Sequence, residues 1–312
     1  MNRLEIFQPQ QLSSSEPPDL SGFGFRFLAE GDSWFSIGTL NPLKNSNQLF
    51  EMRFAHSACA VNCAQPGDTL KRMSQMNTDP RFVDVLCGRR ARPWDAMLIS
   101  CGGNDLIEAV SAPAVDAAGE PVPAHLRLLL TEAEWGPAEL GASRYLSDAG
   151  WETFSTYLQA NLDHLLGLRE RGPSQGQPVF LHGYAFPTPR PAGAELGMGP
   201  WLLPALQRYA LPTADGVVVA RELLTRLATL LGRCAADSAR FPNLHFFDTT
   251  AIPIDPALPG TAGVSGDWVN EIHLTKGGYR KLAVPWAAAI EAALTGEVAA
   301  PAAAPVAEPV DG

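Results

Sequence analysis

Five short apolar runs recur along this chain, each bounded by Gly, Pro, Asn or Asp and followed by a longer stretch. They are 23–30 (FGFRFLAE), 57–62 (SACAVN), 96–101 (AMLISC), 178–182 (PVFLH) and 243–248 (NLHFFD). Runs this short and this apolar suit parallel strands buried on both faces. Segments 151–171, 215–235 and 276–294 repeat apolar residues at helical steps, and the last has Thr275 as N-cap and Gly296 as its stop. Strands alternating with helices predict an α/β fold. The expected form is a doubly wound, flavodoxin-like parallel sheet of about five strands with helices on both faces.

The chain has 312 residues, 46% hydrophobic and 18% charged, which is enough for one large α/β domain. The expected organisation is a polar leader over 1–22, a domain over 23–296 and an Ala/Pro-rich disordered tail over 297–312. Two Pro-, Gly- and Ala-rich segments, 112–150 and 186–213, exceed ordinary connections and read as lids, substrate walls or plain decoration. A net charge of -10 argues against nucleic acid or an anionic membrane as partner. No run reaches the ~18 apolar residues of a membrane span, and the N-terminus lacks the apolar core of a secretory signal. Five scattered cysteines include a Cys59/Cys63 pair, but no second pair or nearby histidine completes a metal site. They read as free thiols in a reducing, cytoplasmic setting, with no metal and no cofactor.

Residues with chemistry to offer fall where the strands end, the rim at which open α/β sheets bind ligands. Ser33 follows the first run, in FLAEGDSWFSIG, and Gly67 follows the second, in AQPGDTL. Gly102-Gly103-Asn104-Asp105 follow the third. His273 lies beyond the fifth, in DWVNEIHLTKGGY, just before the last helix. Each stretch has a plainer reading: Gly-Asp-Ser as a surface turn, Asp68 as a helix cap, the glycines as turn residues, the histidine as packing. His182, in FLHGYAFPTP, leaves the fourth strand at the same rim and either lines the pocket or bonds within the rim. His56, His125, His164 and His245 read as structural or surface residues.

In these four blocks the chain resembles the SGNH hydrolases, the GDSL-type esterase and lipase superfamily. That family carries a serine in Gly-Asp-Ser, a glycine, an asparagine in Gly-x-Asn-Asp and a histidine near the C-terminus. The matching positions are Ser33, Gly67, Asn104 and His273, in blocks spanning residues 28–279, with GDSWF in place of Gly-Asp-Ser-Leu. The resemblance implies a metal-free serine hydrolase that cleaves short acyl or acetyl esters through an acyl-enzyme on Ser33. His273 is then the general base, and the amides of Ser33 and Gly67 with the Asn104 side chain are the oxyanion donors. The same machinery suits an acyltransferase, and an inactive relative would only bind its ligand. The implied partner is a small-molecule ester.

One position departs from the family. Members usually carry Asp three residues before the histidine; here it is Asn270. Asn270 is expected to orient His273, with Asp267 as the alternative, while Glu271 points elsewhere. An amide oxygen can hold the imidazole tautomer but lacks the charge that stabilises the imidazolium.

Overall fold

Strand β3 shows how the sheet forms. Along it Phe27 and Ala29 pack into one hydrophobic core and Leu28 into the other, all fully buried. The computed structural model describes residues 1–38, 45–194 and 197–296, so the expected tail over 297–312 lies outside the described residues. Chain order begins β1 (Asn2–Arg3), β2 (Glu5–Phe7), β3 (Phe25–Gly31), α1 (Ser33–Ser36), α2 (Gln48–Glu51), β4 (Arg53–Phe54) and β5 (Ala58–Asn62). It continues through α3 (Leu70–Met73), α4 (Pro80–Cys87), β6 (Ala96–Ser100), α5 (Gly103–Val110), α6 (Asp148–Arg169) and β7 (Val179–His182). The last elements are α7 (Leu203–Arg208), α8 (Gly216–Ala236), β8 (Leu244–Phe247) and α9 (Lys276–Thr295).

The fold is α/β, with a six-stranded sheet ordered β2-β5-β3-β6-β7-β8 in which every pairing is parallel. The five expected strands are β3, β5, β6, β7 and β8. Counted among themselves they lie in the order 2-1-3-4-5, the flavodoxin-like order. The sixth strand comes from the segment read as a polar leader. Glu5, Ile6 and Phe7 pair with Cys59, Ala60 and Val61 at the sheet edge. Three residues with one charged end give no strand periodicity, which is why the sequence hides them.

Alternation along the strands feeds two cores. Cys59, Val61, Met97 and Ile99 join Leu28 on the face covered by α3, α4, α6 and α8. Ala58, Ala60, Ala96 and Leu98 face the other way, against Leu49 and Met52 of the α2 region and Trp286 and Ile290 of α9. Helix α9 is capped as its sequence suggests: the Thr275 side chain accepts the Gly278 amide, and Gly296 closes it at φ 72°. The segment 112–150 is a series of short 3-10 turns before α6, and α7 is the one α-helix in the described part of 186–213.

The sheet order reverses between β3 and β6, the switch point at which such folds open a crevice. The strands lie close there. A Cβ on Gly31 would stand 2.6 Å from Ser100 Cβ and 2.9 Å from the Ser100 carbonyl oxygen. Both obstacles belong to a neighbouring strand and cannot rotate away. Gly31→Ala is therefore expected to destabilise the fold by ~1–3 kcal/mol, read as a lower urea midpoint. An unchanged midpoint would show that the strands separate freely.

Candidate active site

Ser33 sits at the turn where β3 ends and α1 begins. Asp32 makes that turn: its Oδ1 accepts the Trp34 amide at 2.9 Å and caps the short helix. The same carboxylate accepts Ser100 Oγ at 2.8 Å and, through Oδ2, the Tyr184 hydroxyl at 2.6 Å. Burial pushes its pKa up to about 6, and those donors restrain the rise. Ser33 itself is 8% exposed.

His273 reaches Ser33 from the other end of the chain, with Nε2 2.7 Å from Ser33 Oγ. Asn270 Oδ1 lies 3.1 Å from His273 Nδ1 and also accepts the amides of Ile272 at 3.1 Å and His273 at 2.8 Å. Two backbone N–H groups require an acceptor there, so the amide oxygen faces His273. Nδ1 then carries the proton, and the Nε2 lone pair faces the serine hydroxyl. Asp267 is engaged elsewhere: its Oδ2 accepts Lys281 Nζ at 2.6 Å and the Asp255 amide at 2.8 Å.

Gly67 lies exposed in the loop after β5, at φ 83°. Asn104, in the first turn of α5, donates from Nδ2 to the Asp68 carbonyl at 3.0 Å, one residue from Gly67. Its neighbour Asp105 accepts the Leu70 amide at 3.0 Å. The Gly-Gly-Asn-Asp stretch therefore ties the start of α5 to the Gly67 loop, and the Asn104 side chain has a second N–H beyond the one given to Asp68. The crevice beside Ser33 is lined by Asn104, Ile107, Leu202, Leu224, Trp268 and Ile272.

Three participants carry no clear sequence signal. Tyr184 follows β7 and bonds Asp32. Trp34 lies 4.9 Å from the Tyr184 ring and 5.8 Å from the His182 ring, and its Nε1 donates to the Ile272 carbonyl at 3.1 Å. Trp201 meets the His273 ring edge-on at 5.4 Å. Only the strand-end position of GYAF hinted at Tyr184, and nothing marked Trp201. His182 is buried among these rings with Nδ1 2.6 Å from the Gly183 carbonyl, outside the crevice lining. Glu271 accepts the amides of Trp201, Leu202 (2.8 Å), Leu203 (2.8 Å) and Arg190 (3.2 Å), so it anchors the 186–213 segment beside the histidine loop. All five cysteines are free.

No family model matches this sequence, and no curated protein matches it significantly. Among solved structures it is similar to an extracellular lipase from Streptomyces rimosus, at 14% identity over 84% of this chain and 97% of that one, with a TM-score of 0.45. It is also similar to phospholipase A1 from Streptomyces albidoflavus, at 15% identity over 84% and 97% with a TM-score of 0.41. The aryl esterase of M. smegmatis is a third, at 15% identity over 86% and 99% with a TM-score of 0.39. The reading of Ser33 and His273 rests on their distances and not on these likenesses.

Burial lowers the His273 pKa to about 4, well under the ordinary histidine value, so the ring is neutral through the neutral range. Placing a carboxylate at Nδ1 favours the imidazolium and raises that pKa. Asn270→Asp should therefore move the acid limb of a kcat/KM pH profile upward and raise kcat. A limb that stays in place would mean that residue 270 does not face the imidazole.

Proposed function

We propose that this protein is a serine esterase of the SGNH type, with Ser33 as nucleophile, His273 as general base and Asn270 as the group that orients it. One observation carries the reading: a serine hydroxyl 2.7 Å from the Nε2 of a buried, neutral histidine, at the crevice of the sheet's switch point. Serine is a weak nucleophile until a base takes its proton as the new bond forms. With Nδ1 bonded to Asn270 Oδ1, Nε2 can take it. The proton then passes to the leaving alcohol, and water, activated by the same histidine, releases the acid from the acyl-enzyme.

The tetrahedral oxyanion is assigned to the amides of Ser33 and Gly67 and to the Asn104 side chain. Asn104 lines the crevice, and its bond to the Asp68 carbonyl fixes its plane. Asn104→Ala should lower kcat by ~10^2–10^3 with little change in KM, because that donor is needed in the transition state. A risen KM with constant kcat would make Asn104 a substrate-binding group instead.

The crevice favours small acyl groups. Its volume is ≈ 40 Å³, walled by Leu202, Leu224, Trp268 and Ile272. A water needs ~10–15 Å³ of such space, so the crevice holds about three and suits an acetyl or similarly short chain. The test is a p-nitrophenyl ester series from acetate to palmitate with wild type and Ser33→Ala. Short chains should turn over fastest, and the variant should lose ~10^6 in kcat while staying folded. Substantial turnover by purified Ser33→Ala would overturn the mechanism. Adding an alcohol acceptor to the same assay separates hydrolysis from acyl transfer.

A further inference from the structure

Behind the Gly67 loop three carboxylates converge from separate elements. Glu30 lies near the end of β3, Asp68 follows Gly67, and Asp79 caps α4. One carboxylate oxygen from each lies within 4.8 Å of the other two. Glu30 and Asp79 are completely buried. Arg72, whose charge reaches Asp68, is bonded instead to Glu108 at 3.5 Å.

Hydrogen bonds satisfy only part of the cluster. Glu30 Oε1 accepts the Gly31 amide at 2.7 Å. Asp79 Oδ1 accepts the amides of Arg81 at 2.9 Å and Phe82 at 3.0 Å, and its Oδ2 accepts Gln65 Nε2 at 2.8 Å. Glu30 Oε2 and Asp68 Oδ2 are both buried and have no hydrogen-bond partner among the described residues. A buried carboxylate without a counterion costs several kcal/mol, so these oxygens call for a cation or a proton.

We propose that Glu30, Asp68 and Asp79 form a binding site for a hard divalent cation such as Ca²⁺, Mn²⁺ or Mg²⁺. Three oxygens within 4.8 Å of one another leave a point no more than ~2.8 Å from each, which a small side-chain adjustment brings to the ~2.3–2.6 Å of Ca²⁺ ligands and a larger one to the ~2.1 Å of Mg²⁺. An all-carboxylate donor set selects such ions over the softer metals that seek nitrogen or sulfur. Asp68 is only half-buried and gives the ion a way in. Burial, followed by the charge of Asp79, holds the Glu30 pKa well above the carboxylate range, a penalty that a bound cation reverses. The competing way to neutralise the cluster is a proton shared between Glu30 and Asp79.

The site has a direct route to the oxyanion loop. Asp68 would hold the ion through its side chain while its main-chain carbonyl holds the Asn104 amide. Gly67 directly precedes Asp68 in the chain, so the ion would stiffen the loop that carries its amide. Binding itself does not depend on the esterase reading and is measured without any ester.

The full chain, stripped with EDTA and dialysed, is titrated by calorimetry with CaCl₂, MnCl₂ and MgCl₂ in turn, with the melting temperature followed in parallel. The expected result is uptake of one ion per chain and a raised melting temperature. Asp68→Asn should weaken uptake at least ~tenfold, since even outer-shell changes at metal sites cost ~10–100-fold. Glu30→Gln serves as the second variant, should Asp68→Asn not fold. Absence of both heat and melting shift with all three ions, in protein whose circular dichroism is native, overturns the site in favour of the shared proton. Unchanged uptake in a folded variant overturns it too, because the ion then binds elsewhere.

Discussion

The Asp32 carboxylate is the point on which the site depends. It is 2% exposed and takes donors from three directions: the Trp34 amide, the Ser100 hydroxyl and the Tyr184 hydroxyl. These belong to the start of α1, the end of β6 and the loop after β7. One buried charge thus joins the two strands of the switch point to a third and fixes the turn that presents Ser33. Its desolvation is tolerable because all three donors converge, and loss of the Tyr184 hydroxyl would leave the buried Oδ2 without its donor. Trp34 extends the arrangement. Its amide belongs to the Asp32 cap, while its indole N–H reaches the Ile272 carbonyl, next to His273. Two residues 240 positions apart are therefore held by one tryptophan as well as by their own hydrogen bond.

A second buried carboxylate organises the other wall. Glu271 accepts four backbone amides from the 186–213 segment, which sets Trp201 edge-on to the His273 ring. Arg190, completely buried, closes the same corner by donating to the carbonyls of Thr261 (3.1 Å), Gly263 (2.5 Å) and Asn270 (2.8 Å). The long irregular segment is thus fastened to the histidine loop at both its main chain and a charged side chain. That is the geometry of a fixed wall. These bonds hold Leu202 at the crevice beside Ser33.

Much of this was legible in the sequence because buried strands and long helices leave periodic marks. The runs at 96–101 and 178–182 became β6 and β7, and the helix expected over 276–294 became α9 with its Thr275 cap. The serine and asparagine stood at strand ends and line one crevice, and the loop before α9 brings His273 Nε2 2.7 Å from Ser33 Oγ. What stayed hidden was contact rather than pattern. Nothing local marks Trp201 as a neighbour of His273, because the link runs through Glu271 and a segment with no periodicity. Strand β2 was hidden for the opposite reason: three residues are too few to show alternation, and only pairing with β5 makes them a strand. Glu30 read as the polar end of an apolar run, and only folding brings it beside Asp68 and Asp79.

The neutral residue beside His273 follows from the same crowding of charge. Asn270 is 5% exposed and lies between two acidic residues of its own loop, Asp267 and the fully buried Glu271. Glu271 must stay anionic to hold its four amides, and Asp267 is committed to Lys281 and the Asp255 amide. A carboxylate at 270 would put a third negative charge into this short loop, at low effective dielectric, where like charges repel strongly. The amide avoids that repulsion and still supplies one oxygen for three N–H donors, so the tautomer of His273 is fixed without a charge. The cost falls on the reaction step. In the proposed mechanism His273, on taking the serine proton, would become a buried cation faced at Nδ1 by an amide oxygen, and burial already opposes that state. The opposite charge available to it is the oxyanion forming a few ångströms away. Under the proposed mechanism the donors of the Gly67 loop and Asn104 would therefore matter twice: they would stabilise the oxyanion, and they would hold it where it can stabilise the imidazolium.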